Sequence, residues 1–294
     1  MAGRFGAVVT AMVTPFAEDG SLDLDGVEAL TAHLLEHGSD TVFVTGSTGE
    51  APTLTDAEKR DVFRAAVEAA KGKGQVLAGT GTYSTAESIE LTHEAERAGV
   101  DGVVVVTPYY NKPPQRGLVA HFSKIAESTS LPVVAYNIPG RTATRIEHDT
   151  MMTLAAIPNI VAVKDSTGDF DALSRLIREA PDGFDVYSGD DWATFGLACL
   201  GAVGIVSVAS HLVGERIAQM LHLVFEGDVP SARKIHEELS PLFSVLFITS
   251  NPIPLKAALG IVGLPGGDPR LPLLPATPDE RERIRRVLED AGLL

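Results

Sequence analysis

A lysine ends a short apolar run, Ile160-Val161-Ala162-Val163-Lys164-Asp165. Four apolar residues rich in β-branched types read as a buried strand. An ammonium there is costly to desolvate, so its pKa falls, and the neutral amine can attack a carbonyl to form a Schiff base. Alone, the stretch reads more simply as a strand-end lysine in water or paired with Asp165. Tyr136 closes an earlier run, Val133–Tyr136, and a phenol can give and take the protons that carbinolamine formation and dehydration move. Arg141 follows in Tyr136-Asn137-Ile138-Pro139-Gly140-Arg141-Thr142, a guanidinium suited to a carboxylate. Gly46-Ser47-Thr48-Gly49-Glu50 offers backbone N–H groups and two hydroxyls in a glycine-flanked turn that can hold a carboxylate. Thr48 is small enough to relay a proton. Lys164, Tyr136, Thr48 and Arg141 together make a coherent Schiff-base site for keto-acid chemistry.

Other chemistries find less support. His33 and His37 stand four apart, but Leu34 occupies the glutamate position of a zincin motif, so they read as ordinary helix-face histidines. Asp190-Asp191 precedes an apolar segment, Trp192–Leu200, and reads as a helix cap rather than a magnesium site. Gly46-Ser47-Thr48-Gly49 lacks the spacing of a hydrolase nucleophile elbow. Cys199, the single cysteine, excludes an intrachain disulfide and reads as a buried small hydrophobe. No metal and no separate cofactor are expected.

The elements that would position these groups alternate. Eight apolar runs recur: Ala7–Thr10, Thr41–Val44, Val76–Gly79, Gly102–Val106, Val133–Tyr136, Ile160–Lys164, Phe184–Ser188 and Gly204–Val208. Helix-like segments lie between them, among them Leu24–His37, Asp56–Lys71, Ala86–Ala98, Gly117–Ser128 and Ala172–Ala180. Thr55 and Glu58 form a capping-box pattern. Eight strand–helix units predict an α/β fold, a closed (β/α)8 TIM barrel, in which the loops after the strands build the active site. The alternative, an open doubly wound sheet, lacks its dinucleotide signature: Gly79-Thr80-Gly81-Thr82-Tyr83-Ser84 has serine where the third glycine belongs. Tyr136 and Lys164 would end neighbouring strands, roughly 5 Å apart. Helices without strands follow, so residues 1–228 are expected to form the catalytic barrel and residues 229–294 a C-terminal helical subdomain.

With 24 Lys+Arg against 39 Asp+Glu, the net charge of −15 argues against nucleic acid or an anionic membrane as partner. No secretory signal and no apolar run near the ~20 residues of a membrane helix are evident. A cytoplasmic location is expected.

Gly46-Ser47-Thr48-Gly49-Glu50, Tyr136-Asn137-Ile138-Pro139 and Val163-Lys164-Asp165, in that order and spacing, resemble the pyruvate-dependent class I aldolase superfamily. The resemblance covers nearly the whole chain, including Asn251-Pro252-Ile253-Pro254-Leu255-Lys256. Within the superfamily, Tyr109-Tyr110-Asn111-Lys112-Pro113 and Arg141 resemble the dihydrodipicolinate synthase group. The resemblance implies that Lys164 forms a Schiff base with pyruvate, that Ser47 and Thr48 hold its carboxylate, and that Val206 lines the pocket. It implies a proton relay of Tyr136, Thr48 and Tyr110, the last lent by a neighbouring subunit. Arg141 would bind the carboxylate of L-aspartate 4-semialdehyde, and Gly189 would form part of the floor. The expected product is 4-hydroxy-tetrahydrodipicolinate, on the way to lysine and diaminopimelate. The expected assembly is a homotetramer, a dimer of dimers. Two other readings remain: a related aldolase for 2-keto-3-deoxy sugar acids or N-acetylneuraminate, and a barrel that binds a keto acid without turning it over. Ser47 departs from the usual threonine but keeps the hydroxyl. Asp56, Lys59 and Tyr83 replace two histidines and an asparagine of lysine-inhibited relatives, while Glu87 and Tyr109 are retained. Lys59 would repel a lysine ammonium, so feedback inhibition is expected to be weak or absent.

Overall fold

Strands β1 (Val8–Ala11), β2 (Thr41–Val44), β3 (Gln75–Gly79), β4 (Gly102–Val106), β5 (Val133–Asn137), β6 (Ile160–Asp165), β7 (Asp185–Ser188) and β8 (Gly204–Ser207) close in sequence order into a parallel barrel. The structure, a computed structural model, describes residues 2–294. Pairing of Val8 with Ile205 and of Val9 with Val206 shuts the ring between β1 and β8. The expected (β/α)8 barrel is the observed fold, with strand ends shifted by a residue or so.

Strands covered on both faces must be apolar on both, which is why these runs are continuous rather than alternating. Their side chains divide by the two-residue period of a strand. In β5, Val133 and Ala135 face the outer core beneath the helices, while Val134 and Tyr136 join the inner cluster with Phe5, Phe43 and Leu77. One irregularity sets the site. Along the β5–β6 ladder Val133 pairs with Ile160 but Val134 pairs with Ala162, so Val161 is an extra residue, a β-bulge. The bulge brings Lys164 opposite Tyr136 and Asp165 opposite Asn137. Without it, Val163 would stand beside Tyr136.

The helices are α1 (Leu24–Glu36), α2 (Asp56–Ala70), α3 (Thr85–Ala98), α4 (Gln115–Glu127), α5 (Pro139–Thr142), α6 (His148–Ala155), α7 (Phe170–Glu179), α8 (Asp191–Cys199), α9 (Ser210–Glu226), α10 (Val229–Val245), α11 (Ile253–Val262) and α12 (Pro278–Asp290). The capping box at α2 forms: the Thr55 N–H donates to Glu58 Oε2 at 2.8 Å, and Glu58 N–H donates to Thr55 Oγ1 at 3.2 Å. Helices α10 to α12 follow the barrel, and the turn before α11 reaches back to the barrel mouth, where Asn251 donates to Thr48.

Two sequence expectations are corrected. Cys199 is exposed, not buried, because it falls in the last turn of α8 on the side away from Leu197 and Ala198. Neither aspartate caps α8 with its side chain. Asp190 occupies the cap position without such a bond, and the buried Asp191 instead accepts from Val208 N at 3.2 Å and Ala209 N at 3.1 Å. It thereby holds the turn after β8. Among the described residues no helix is long and apolar enough to cross a membrane.

Candidate active site

Lys164 lies inside the barrel mouth and is 4% exposed. Its Nζ sits 4.1 Å from the centre of the Tyr136 ring and 5.2 Å from that of Phe43. Burial, opposed by the carboxylates of Asp190 and Asp191 and aided by Arg141, pulls its pKa down to about 7. A lysine so placed is substantially neutral near pH 7 and nucleophilic. Burial also drives the Asp190 carboxyl up to about 6, against the pull of Lys164. The charge on each of the two groups therefore favours the charged form of the other.

Burial pushes the Tyr136 phenol well above the ordinary tyrosine value; the Ser166 and Ser47 hydroxyls and Arg141 oppose this and Asp190 adds to it. Tyr136 therefore holds its proton until a reacting group takes it. The neighbouring turn is shaped by backbone in the left-handed region at Thr45 (φ 53°) and Glu50 (φ 55°). Such conformations persist where the surroundings fix them. Thr45 Oγ1 donates to Gly79 O at 3.0 Å. The Glu50 carboxylate meets Lys256 Nζ at 2.7 Å and accepts from Arg270 N at 2.9 Å. The turn between these anchors presents Ser47 and Thr48.

A cavity of about 610 Å³ opens over this floor, with Ser47, Tyr136, Ile138, Arg141 and Asn251 in its wall. It continues past Gly81 to Asp56, Lys59, Tyr83, Glu87 and Tyr109. The buried Thr48 accepts from Asn251 Nδ2 at 2.8 Å, and Arg141 Nη2 donates to Asn251 O at 3.0 Å. Arg141 is otherwise exposed, carried on the short helix α5. Val206 belongs to the inner cluster on β8. At Gly189 a Cβ would lie 2.0 Å from Ser166 Oγ and 2.9 Å from Asp165 O, so only glycine fits. The structure thus puts Ser47, Tyr136 and Arg141 in the wall of one cavity, with Lys164 against the Tyr136 ring and Thr48 bonded to the lining residue Asn251. Tyr110 is not among them: it is 93% exposed, with φ at 73°.

His33 and His37 stack with ring centres 4.0 Å apart. Among the described residues no group of three or more His, Cys, Asp or Glu side chains is placed to hold a metal ion.

A model of the Dihydrodipicolinate synthetase family matches residues 4–291. The chain belongs to that family. A 4-hydroxy-tetrahydrodipicolinate synthase of Moorella thermoacetica is 51% identical over 291 residues, covering 99% of this chain and all of that one. One from Desulforudis audaxviator is 50% identical over 290 residues, with 99% of each chain covered. Among solved structures, the family member from Cyanidioschyzon merolae, determined with lysine bound, superposes with a TM-score of 0.97 at 44% identity, covering 99% of this chain and 100% of that one. The Aquifex aeolicus dihydrodipicolinate synthase gives 0.95 at 41%, covering 98% of both.

Three residues of this family member lie at the site without a role assigned from sequence. Asn251 bridges Thr48 and Arg141 from more than one hundred positions away. Asp190 is Lys164's electrostatic partner. Ser166 stands two residues after Lys164, just beyond the end of β6, with its Oγ buried and without a hydrogen-bond partner among the described residues. Only Ser166 had a local signal, the Lys164 spacing itself.

Proposed function

We propose that the chain condenses pyruvate with L-aspartate 4-semialdehyde through a Schiff base on Lys164, giving 4-hydroxy-tetrahydrodipicolinate for lysine and diaminopimelate synthesis. The observation that carries this is a buried amine with a pKa of about 7 against the ring of Tyr136, a phenol that keeps its proton and itself lines a cavity walled by hydroxyls and one guanidinium. The family relationship supports the same chemistry.

In this reading the neutral Lys164 amine attacks C2 of pyruvate, whose carboxylate rests on Ser47 and Thr48. Tyr136 protonates the departing hydroxyl of the carbinolamine; the C–O bond breaks, water leaves and the nitrogen lone pair forms the C=N bond. The cation so formed is stabilised by the Asp190 carboxylate. Loss of a C3 proton gives the enamine, which attacks the aldehyde carbon, and Arg141 holds the aldehyde's carboxylate. The amine of the adduct then displaces Lys164 as the ring closes. Val206 and Gly189 bound the space in which this happens, and the covalent lysine adduct takes the place of a cofactor. Thr48 and Tyr110 complete a proton relay with Tyr136, Tyr110 coming from a second copy of the chain, in keeping with its exposure here. The assembly in this reading is a homotetramer, although one solved relative at 40% identity is described as a monomeric variant. Residues 1–228 act as the catalytic barrel and 229–294 as a helical appendage, in a cytoplasmic enzyme.

Incubation with pyruvate and borohydride, followed by intact-mass measurement, tests the chemistry. A reduced pyruvate adduct is expected on Lys164 and absent from Lys164→Ala; no adduct on the intact chain would defeat every Schiff-base reading. Assay with L-aspartate 4-semialdehyde against sugar-acid aldehydes then fixes the second substrate.

A further inference from the structure

Asn251 carries an inference beyond these assignments. It precedes α11 in the helical C-terminal region, is 6% exposed, and lines the cavity. Its polar groups are divided in an informative way. The side-chain Nδ2 donates to Thr48 Oγ1 at 2.8 Å, and its backbone oxygen accepts from Arg141 Nη2 at 3.0 Å. Its Oδ1 is buried with no hydrogen-bond partner among the described residues. A buried carboxamide oxygen left unpaired is costly, and its natural complement is a donor supplied by a ligand.

The donor's chemistry follows from the neighbours. Arg141, held against Asn251, presents a cation to the cavity, so a ligand's carboxylate goes there. An acceptor next to that guanidinium fits a donor next to that carboxylate. A carboxylate and an ammonium on one carbon are the α-amino acid end of a molecule. We propose that Asn251 is a specificity-determining residue whose Oδ1 accepts a hydrogen bond from the amino group of the second substrate, so that the site selects an α-amino-acid aldehyde over an aldehyde acid lacking the amine. This rests on the reading of Arg141 as the carboxylate anchor for that substrate.

The same contact bears on the order of events. An amine held by Oδ1 near Thr48 is kept close to the lysine adduct that it must displace in ring closure. Proximity of this kind removes entropy from the later step.

The test is single-turnover carbon–carbon bond formation on the pyruvate-loaded enzyme, with borohydride-reduced adducts counted by mass. Aspartate 4-semialdehyde is compared with succinate semialdehyde, which has the same carbon chain and no amine. The intact enzyme should favour the amino aldehyde in concentration dependence by about tenfold to a hundredfold, the range of a hydrogen bond to a charged group. Asn251→Ala should lose most of that preference. Asn251→Asp keeps acceptor oxygens and should retain it, while pyruvate adduct formation slows because Thr48 has lost its amide donor. Equal preference in the intact enzyme and in Asn251→Ala overturns the assignment, as does an intact enzyme that does not distinguish the two aldehydes, a result that needs no variant to fold. If the intact enzyme forms a pyruvate adduct but joins neither aldehyde to it, the functional reading falls and the assignment with it.

Discussion

Replacing Lys256 with methionine should destabilise the protein far more than a surface change, and the structure gives the size. Lys256 and Glu50 meet at 2.7 Å with both side chains 1% exposed. Lys256 also packs over the Phe16 ring, 4.1 Å from its centre. Methionine preserves most of that packing volume, so the main loss is electrostatic. Among the described residues Glu50 Oε1 has no partner but Lys256, while Oε2 keeps the Arg270 N–H at 2.9 Å. Removing one member of a buried pair leaves an uncompensated charge, at a cost of about 3–5 kcal/mol. For a chain of this size that corresponds to a fall in Tm of roughly 6–15 °C. Glu50 stands two residues after Thr48, so the turn that holds the pyruvate carboxylate should loosen too and raise the KM for pyruvate. Adding Glu50→Gln removes the stranded charge while keeping an acceptor for Arg270, and should recover most of the lost Tm. Calorimetry of the two single variants and the double variant, with pyruvate kinetics, decides it. A Lys256→Met protein within 2 °C of the parent, or a double variant no better than the single, would refute the reasoning.

Other consequences are simpler. Asp190 raises the Lys164 pKa and burial lowers it, so Asp190→Asn should shift the acid limb of adduct formation to lower pH by roughly one unit; the neutral amine forms as pH rises through about 7, and a limb that stays put or moves up contradicts the coupling. Gly189→Ala places a methyl group 2.0 Å from Ser166 Oγ and should cut turnover at least tenfold, whereas Gly189→Ala combined with Ser166→Gly should restore part of it; equal activity of the single variant and the parent ends that account. Lysine should inhibit weakly or not at all: Lys59 is buried in the wall of the cavity's far arm and pairs with Asp56 at 3.2 Å, and half-inhibition by sub-millimolar lysine would show otherwise. Tyr110→Phe should slow turnover without preventing pyruvate adduct formation, and unchanged turnover in an assembled oligomer removes Tyr110 from the relay.

Most of the barrel was legible because its physics is local. Continuous apolar runs at regular intervals cannot be amphipathic surface strands, and eight of them joined by helical segments leave few topologies. The helix α6 was less visible: Glu147 at its cap position makes no side-chain bond, so the sequence carries no start signal there. Cys199 misled because an apolar run on a short helix still has an outer side, and which side faces solvent depends on neighbours that sequence periodicity does not name.

The site was legible in its residue types and much less so in its geometry. Tyr136 and Lys164 close their runs, and adjacent strands bring such ends together, yet sequence alone does not say that they share a face. That depends on Val161. A strand's side chains alternate, so a shift of one residue against β5 would exchange every inward group for its outward neighbour. In β6 the bulge absorbs that residue: Ala162 and Lys164 point inward with Val134 and Tyr136, while Val163 joins the outer core. Ironing out the bulge while keeping Val161 would therefore set Val163 opposite Tyr136 and turn Lys164 outward. Deleting Val161 would instead leave Ile160 and Ala162 as consecutive partners of Val133 and Val134 and keep Lys164 opposite Tyr136. The chemistry rests on a lysine, a tyrosine and a threonine that can be read directly, and on a bulge at Val161 that appears only when two strands are laid side by side.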